Sequence, residues 1–200
     1  MIGFFALVII YFGFSWGLPW HKLPSTISFS YIFDLLFALG VSFFYRLPWK
    51  FKWNITRQTF KAMGEVVALA VAAIAAIWYM DIESPFRLVN GLEWHLLFFA
   101  PILEELVFRQ TFQRVLIAQV GGKYVTSMLV ASIFAFSHLV GLTVLPVEYV
   151  PFIGFQVFYT FVLGIICGQA LLRFHSVIAP IFLHFLFNLS FYIALQLEVI

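Results

Sequence analysis

Apolar runs long enough to cross a bilayer follow one another along almost the whole of this 200-residue chain, and few folds can accommodate them. Seven such runs can be read, at residues 2–20, 27–45, 62–80, 92–117, 124–145, 150–172 and 176–198. A spanning helix needs roughly 20 apolar residues, and hydrocarbon tolerates only backbones that satisfy their own hydrogen bonds. Only 10% of the residues are charged and 64% are hydrophobic, whereas a soluble domain is about 25% charged. The runs leave no room for a soluble domain, and no linker, low-complexity tract or internal repeat interrupts them. The expected fold is all-α: a single integral membrane domain over residues 1–200, a polytopic helical bundle of about seven transmembrane helices.

A net charge of +2 is too small to point to nucleic acid, but its distribution is informative. Arg46, Lys50, Lys52, Arg57 and Lys61 share one short connection, which the positive-inside bias places in the cytoplasm. Alternation then puts Arg114, Lys123 and Arg173 on the same side. Lys22, Arg87, Asp81, Glu83, Glu93 and Glu148 fall on the other. That sorting fits seven crossings, a cytoplasmic N-terminus and an external C-terminus. The first run has neither a basic n-region nor a small-residue cleavage site, so it is expected to be retained. Cys167, the only cysteine, lies mid-run and is expected to pack rather than react.

Most prolines (Pro19, Pro24, Pro48, Pro85, Pro146 and Pro151) stand at run ends, where turns belong. Pro101 and Pro180 fall inside runs, where each either shapes a kink or is merely tolerated. Gly13/Gly17, Gly164/Gly168 and the stripe Ala68/Ala72/Ala76 have the spacing of close helix contacts. Phenylalanines and tryptophans are expected as lipid-facing bulk, with Trp16, Trp20, Trp49, Trp53, Trp78 and Trp94 near the interfaces.

Against this background the segment Glu104-Glu105-Leu-Val-Phe-Arg109 stands out, because it places three ionisable groups inside the fourth run. Each costs at least ~2.5 kcal/mol at the bilayer centre, which marks the cluster as a working site. Glu105 and Arg109 are four residues apart on a helix and can pair. Glu104 is turned about 100° from Glu105 and lacks a local countercharge, which suits a general base or acid. A purely stabilising Glu–Arg network is the bland alternative, and a single pair would suffice for it.

Two later runs carry the polar groups that could join Glu104. His138 ends Phe134-Ala-Phe-Ser-His138, with Phe134 one turn before it, and His184 and Asn188 form an i, i+4 pair. His21, His95 and His175 lie at run boundaries and fit packing or interfacial roles. His138, His184 and Asn188 lie within apolar runs and need partners, and the acids are the nearest ones at that depth. With a rise of about 1.5 Å per residue, Glu104 and His184 both come near mid-membrane, and His138 at a somewhat different depth. These groups could form a peptidase without a covalent intermediate. Glu104 would take a proton from water with His138 assisting, while His184 and Asn188 donate to the oxyanion. A zinc site is the second chemical reading, with Glu104, His138 and His184 as ligands and water in the fourth position. HExxH is missing, however, and Asn188 is a poor zinc ligand.

Glu-Glu-x-x-x-Arg, Phe-x-x-x-His and His-x-x-x-Asn on successive membrane helices resemble the CPBP family (CAAX proteases and bacteriocin-processing enzymes, also called Abi). Gly164/Gly168 and Pro180 in the connecting region add to the likeness. It covers about residues 90–192, whereas the helices within 1–85 match only in being hydrophobic. The resemblance implies an α-helical intramembrane endopeptidase whose best understood relatives remove the C-terminal tripeptide of prenylated CaaX proteins. It further implies Glu104 as the water-activating glutamate, His138 as its assistant, and His184 and Asn188 as the oxyanion pair. Glu105 and Arg109 are the supporting pair. A glutamate mechanism without metal or other cofactor is implied. The compact chain without extra domains suggests a prokaryotic member, in the plasma membrane. The substrate is expected to be a membrane-embedded or lipidated peptide or protein.

Two further function classes compete. A noncatalytic bacteriocin-immunity or scaffold protein would use packing faces and not the polar residues. A proton-coupled transporter would draw on membrane Glu and His and on Asp34, alone in the second run, although a partnered structural acid is the preferred reading of Asp34. Matching half-repeats with broken helices, which transport would favour, are not visible.

Overall fold

The computed structural model describes residues 3–17, 29–88 and 92–200. Pro19, Trp20, His21, Lys22 and Pro24 lie outside the described residues, as does the Arg87 side chain. Among the described residues the chain is helical without strands. The helices are α1 (Phe4–Gly17), α2 (Phe29–Phe44), α3 (Arg57–Tyr79), α4 (residues 92–120), α5 (Lys123–Val144), α6 (Val147–Phe174) and α7 (Ile178–Gln196). Each lies within or close to one of the seven apolar runs. Four of them, α3, α5, α6 and α7, are long and apolar enough to cross a membrane. α1 and α2 are shorter, at 14 and 16 residues.

Helix α4 changes register twice. His95–Phe99 and Leu106–Gln113 are π-helical, with Ala100–Glu105 in ordinary α-helix between them. The wide i→i+5 register is rare and tends to occur at functional sites. Here the two wide stretches bracket Glu104 and Glu105. The second is wholly buried, including Gln110, Thr111 and Gln113. Its polar side chains find partners: Gln113 donates to Ser127 Oγ and to the Gly168 carbonyl, both at 2.9 Å, Gln110 donates to the Pro48 carbonyl, and the Thr111 hydroxyl donates to Val107 O.

Two apolar clusters flank this polar seam. One joins α1, α2, α4 and α5 through Phe4, Tyr11, Val41, Phe108, Phe112 and Phe134. The other joins α3, α6 and α7 through Val66, Ala70, Leu163, Leu183, Phe187 and Phe191. Many phenylalanines are therefore core and not lipid-facing, although Phe5, Phe43 and Phe60 are exposed as expected.

The small-residue motifs divide. On α6, a Cβ at Gly164 would stand 3.0 Å from the Ala131 Cβ of α5, and one at Gly168 would stand 3.2 Å from Ser127 Oγ. This pair is the close contact the spacing predicts. Gly13 and Gly17 have nothing within 4 Å among the described residues. Ala68 and Ala72 lie on the exposed side of α3, which buries Ala62, Val66, Ala70, Ala73 and Ile77 instead. A small-residue repeat fixes a smooth surface but not the direction in which it faces.

Pro180 also differs from its expectation as an interior proline. α7 begins at Ile178, so Pro180 sits in the first turn, where an N–H would have no helical partner and a proline imposes no kink. The polar ends of the helices sort by position. Asp81, Glu83, Tyr149 and Glu198 line one cavity, where α3 and α7 end and α6 begins. At the opposite end of α7, the Val177 N–H donates to the Lys50 carbonyl in the basic connection.

Candidate functional site

Glu104 and Glu105 are neighbours in sequence with opposite surroundings. Glu105 is fully buried, and its two oxygens are divided between two helices. Oε2 meets Arg109 Nε at 3.1 Å, and Oε1 meets His184 Nδ1 of α7 at 3.0 Å. Since the carboxylate is already the anion of the Arg109 pair, His184 is the donor in this contact. Its Nε2 is thereby turned toward Glu104, 3.9 Å from Oε2. The Glu104 side chain keeps 30% of its surface accessible. The helical period places one acid in the protein's interior and the other at the wall of a cavity.

Phe134 of α5 holds the group together. Arg109 Cζ lies 4.7 Å over its ring, a stacking contact strengthened where water is excluded. The rings of His138 and His184 both approach Phe134 edge-on, at 5.1 and 5.9 Å between centroids. His138 closes the α-helical part of α5 and turns Nδ1 back to the Phe134 carbonyl at 3.0 Å. A carbonyl only accepts, so Nδ1 carries the proton and Nε2 of the neutral ring presents a lone pair.

Asn188 is positioned by a missing hydrogen. In the first wide stretch of α4 the Ala100 N–H reaches back to His95 O. The next donor in that register would be residue 101, a proline without an N–H. The Leu96 carbonyl is thereby freed, and Asn188 Nδ2 donates to it at 2.8 Å. Pro101 is therefore the proline that shapes the site, and its effect reaches across to α7. One amide hydrogen of Asn188 is fixed by this bond, and the second remains for another acceptor.

Glu104, His138, His184 and Asn188 line one cavity of about 160 Å³ together with Leu96, Tyr159 and Phe187. The sequence places these four on three separate helices, and the fold brings them to one space. Glu104 and His138 also border a second cavity of about 290 Å³, whose far wall carries Tyr11, Ser15 and Asp34. Gln156 lines both spaces.

Asp34 accepts a hydrogen bond from Tyr11 at 2.9 Å. It is partnered, as the preferred sequence reading had it, and it also faces the cavity. The sequence reading gave no site role to Tyr11 or Gln156. Tyr11 has no local motif, and its partner lies 23 positions away. Gln156 is an isolated amide within an apolar helix. Of the boundary histidines, His95 contacts the Tyr31 hydroxyl and His175 ends α6 in left-handed backbone at φ 54°; neither lines these cavities, and His21 lies outside the described residues. Cys167 is fully buried, its thiol against the Pro180 carbonyl. Among the described residues no three His, Cys, Asp or Glu side chains form a group that could hold a metal ion.

Comparison with known proteins adds one positive finding. Residues 92–190, covering nearly all of α4 through α7, match the family of type II CAAX prenyl endopeptidases, Rce1-like. No curated protein and no solved structure matches the chain. The matched region contains Glu104, Glu105, Arg109, Phe134, His138, His184 and Asn188, whereas Tyr11 and Asp34 precede it. Residues 92–190 of this membrane protein, about half of the chain, are thus similar to a family of peptidases, the Rce1-like type II CAAX prenyl endopeptidases.

Proposed function

We propose that the chain is a glutamate-dependent intramembrane endopeptidase acting on a membrane-delivered or lipidated peptide or protein. The observation that carries this reading is the convergence of Glu104, His138, His184 and Asn188 on one cavity. Glu104 takes a proton from a water molecule, and the resulting hydroxide attacks the scissile carbonyl carbon. His138, its Nδ1 proton committed to Phe134 O, accepts a hydrogen bond from that water through Nε2. The tetrahedral oxyanion receives hydrogen bonds from protonated Nε2 of His184 and from the second amide hydrogen of Asn188. As the C–N bond breaks, Glu104 returns its proton to the departing amine.

Glu105 and Arg109 fix the His184 ring, and Phe134 packs against both histidines. The mechanism uses no metal. Seven helices cross the bilayer, with the basic connection around Lys50 and the N-terminus on the cytoplasmic side of a prokaryotic plasma membrane. The sorting of charge supports this orientation.

The test compares host membranes carrying wild type or Glu104→Gln at equal abundance, with N- and C-terminal peptides of membrane proteins read by mass spectrometry. Termini that appear only with the wild type are expected, and they would identify the substrate and the cut together. Identical termini from two folded proteins would transfer the function to a noncatalytic immunity or scaffold role.

A further inference from the structure

The two spaces that meet at Glu104 and His138 differ in chemistry. The smaller is closed by Phe86, Tyr159, Phe187 and Phe191. Gln156 is common to both, and the larger adds the hydroxyls of Tyr11 and Ser15 and the carboxylate of Asp34, beside Phe12, Trp16 and Phe108. No lysine or arginine lines that larger space among the described residues. Arg109, the nearest basic residue in the motif, is fully buried against Glu105 and Phe134. Among the described residues, two carboxylates, Glu104 and Asp34, therefore border this cavity with no lysine or arginine in its wall. Buried acids are retained when a countercharge or donor meets them, and Tyr11 supplies Asp34 with a neutral donor.

We propose that Asp34 forms a substrate subsite for a basic side chain, lysine or arginine, within a few residues of the scissile bond. The inference rests on the hydrolase reading above and adds a substrate class to it. The scissile carbonyl sits at the wall shared by the two spaces. The apolar flank of the peptide occupies the aromatic space, and the basic side chain reaches into the polar one to pair with Asp34. A basic residue is disfavoured inside a bilayer, so a subsite that rewards it separates such peptides from ordinary apolar membrane segments. Asp34 lies outside the residues matched to the family, which fits a property of this chain's own substrate.

The test uses the full-length protein in proteoliposomes and quenched-fluorescent peptides built on a segment whose cut has been mapped. Lys, Leu or Glu is placed in turn at each of the three residues on either side of the cut. At one position the wild type is expected to cleave the Lys peptide at least tenfold better in kcat/KM than the Leu peptide. Asp34→Asn should abolish that ratio and Asp34→Glu should keep it. A purely structural Tyr11–Asp34 contact would lower all peptides together and leave the ratio unmoved, which overturns the proposal. Should Asp34→Asn fail to fold, the wild-type ratio decides, since equal cleavage of Lys and Leu peptides at all six positions overturns it as well. Cleavage that needs Glu104 but shows no Lys preference defeats the subsite alone. If the wild type cuts no peptide, the hydrolase reading falls and the subsite falls with it.

Discussion

Glu105 accepts a hydrogen bond from His184 Nδ1 at 3.0 Å across 79 positions of sequence, while its other oxygen holds Arg109 at 3.1 Å. One carboxylate thereby ties α7 to α4 and decides which nitrogen of His184 faces the cavity. Removing it strands a fully buried guanidinium. Loss of one partner from a buried pair costs about 3–5 kcal/mol. Glu105→Ala is expected to lower thermal stability in detergent by that order, whereas Glu104→Gln, at the cavity wall, should melt close to wild type. Adjacent acids with the reverse pattern of melting temperatures would contradict the division of roles.

Asn188 and Pro101 are coupled through the Leu96 carbonyl. Asn188→Ala removes the donor that Leu96 O finds among the described residues, at a cost of about 1–3 kcal/mol. Together with loss of an oxyanion donor, this is expected to reduce turnover by about 10²–10³-fold. Pro101→Ala restores an N–H at the position where the wide register needs one. The stability cost of Asn188→Ala should therefore shrink in the Pro101→Ala background, while the turnover loss stays. A double-mutant cycle on unfolding free energy and kcat reads both effects, and additive stability losses would break the link.

Much of this arrangement was legible in the sequence because membrane chemistry simplifies the reading. Seven apolar runs locate the helices, and Glu104, Glu105, Arg109, His138, His184 and Asn188 are conspicuous where polar groups are costly. The Glu105–Arg109 pair follows from helical spacing, and so does the separation of Glu104 from it. The features missed depend on relationships between helices. Tyr11 and Asp34 reveal themselves as partners only once α1 lies on α2, and Gln156 only once α6 faces α4. Gly164/Gly168 and Gly13/Gly17 share one spacing, yet among the described residues only the first has a helix against it. The π-helical register of α4 has no periodic signature in stretches as short as five and eight residues.

Gly164 is a point of close approach between α5 and α6. A Cβ there would lie 3.1 Å from the Ala131 Cα, which is backbone and cannot rotate away. Gly164→Ala is expected to cost about 1–3 kcal/mol by overpacking and to shift α5, which carries Phe134 and His138. Gly13→Ala, with open space around it, should leave the melting temperature unchanged. Equal tolerance at both positions would place the helix contact elsewhere.

Phe134 touches the Arg109 guanidinium and the rings of both His138 and His184, so its substitution tests whether packing aligns the site. Phe134→Leu keeps an apolar side chain but removes the flat face under Arg109 and the edge contacts to the imidazoles. Misplacement of reacting groups by about 1 Å can cost 10²-fold in rate, and turnover is expected to fall by that order while Glu104 is untouched. Phe134→Tyr retains the ring and should stay within about tenfold of wild type if its hydroxyl finds a partner. The combined Phe134→Leu, Glu104→Gln protein should be no less active than Glu104→Gln alone, because positioning acts only through a base that is present. Full turnover by folded Phe134→Leu would show that the histidines are aligned without the ring and would remove Phe134 from the mechanism.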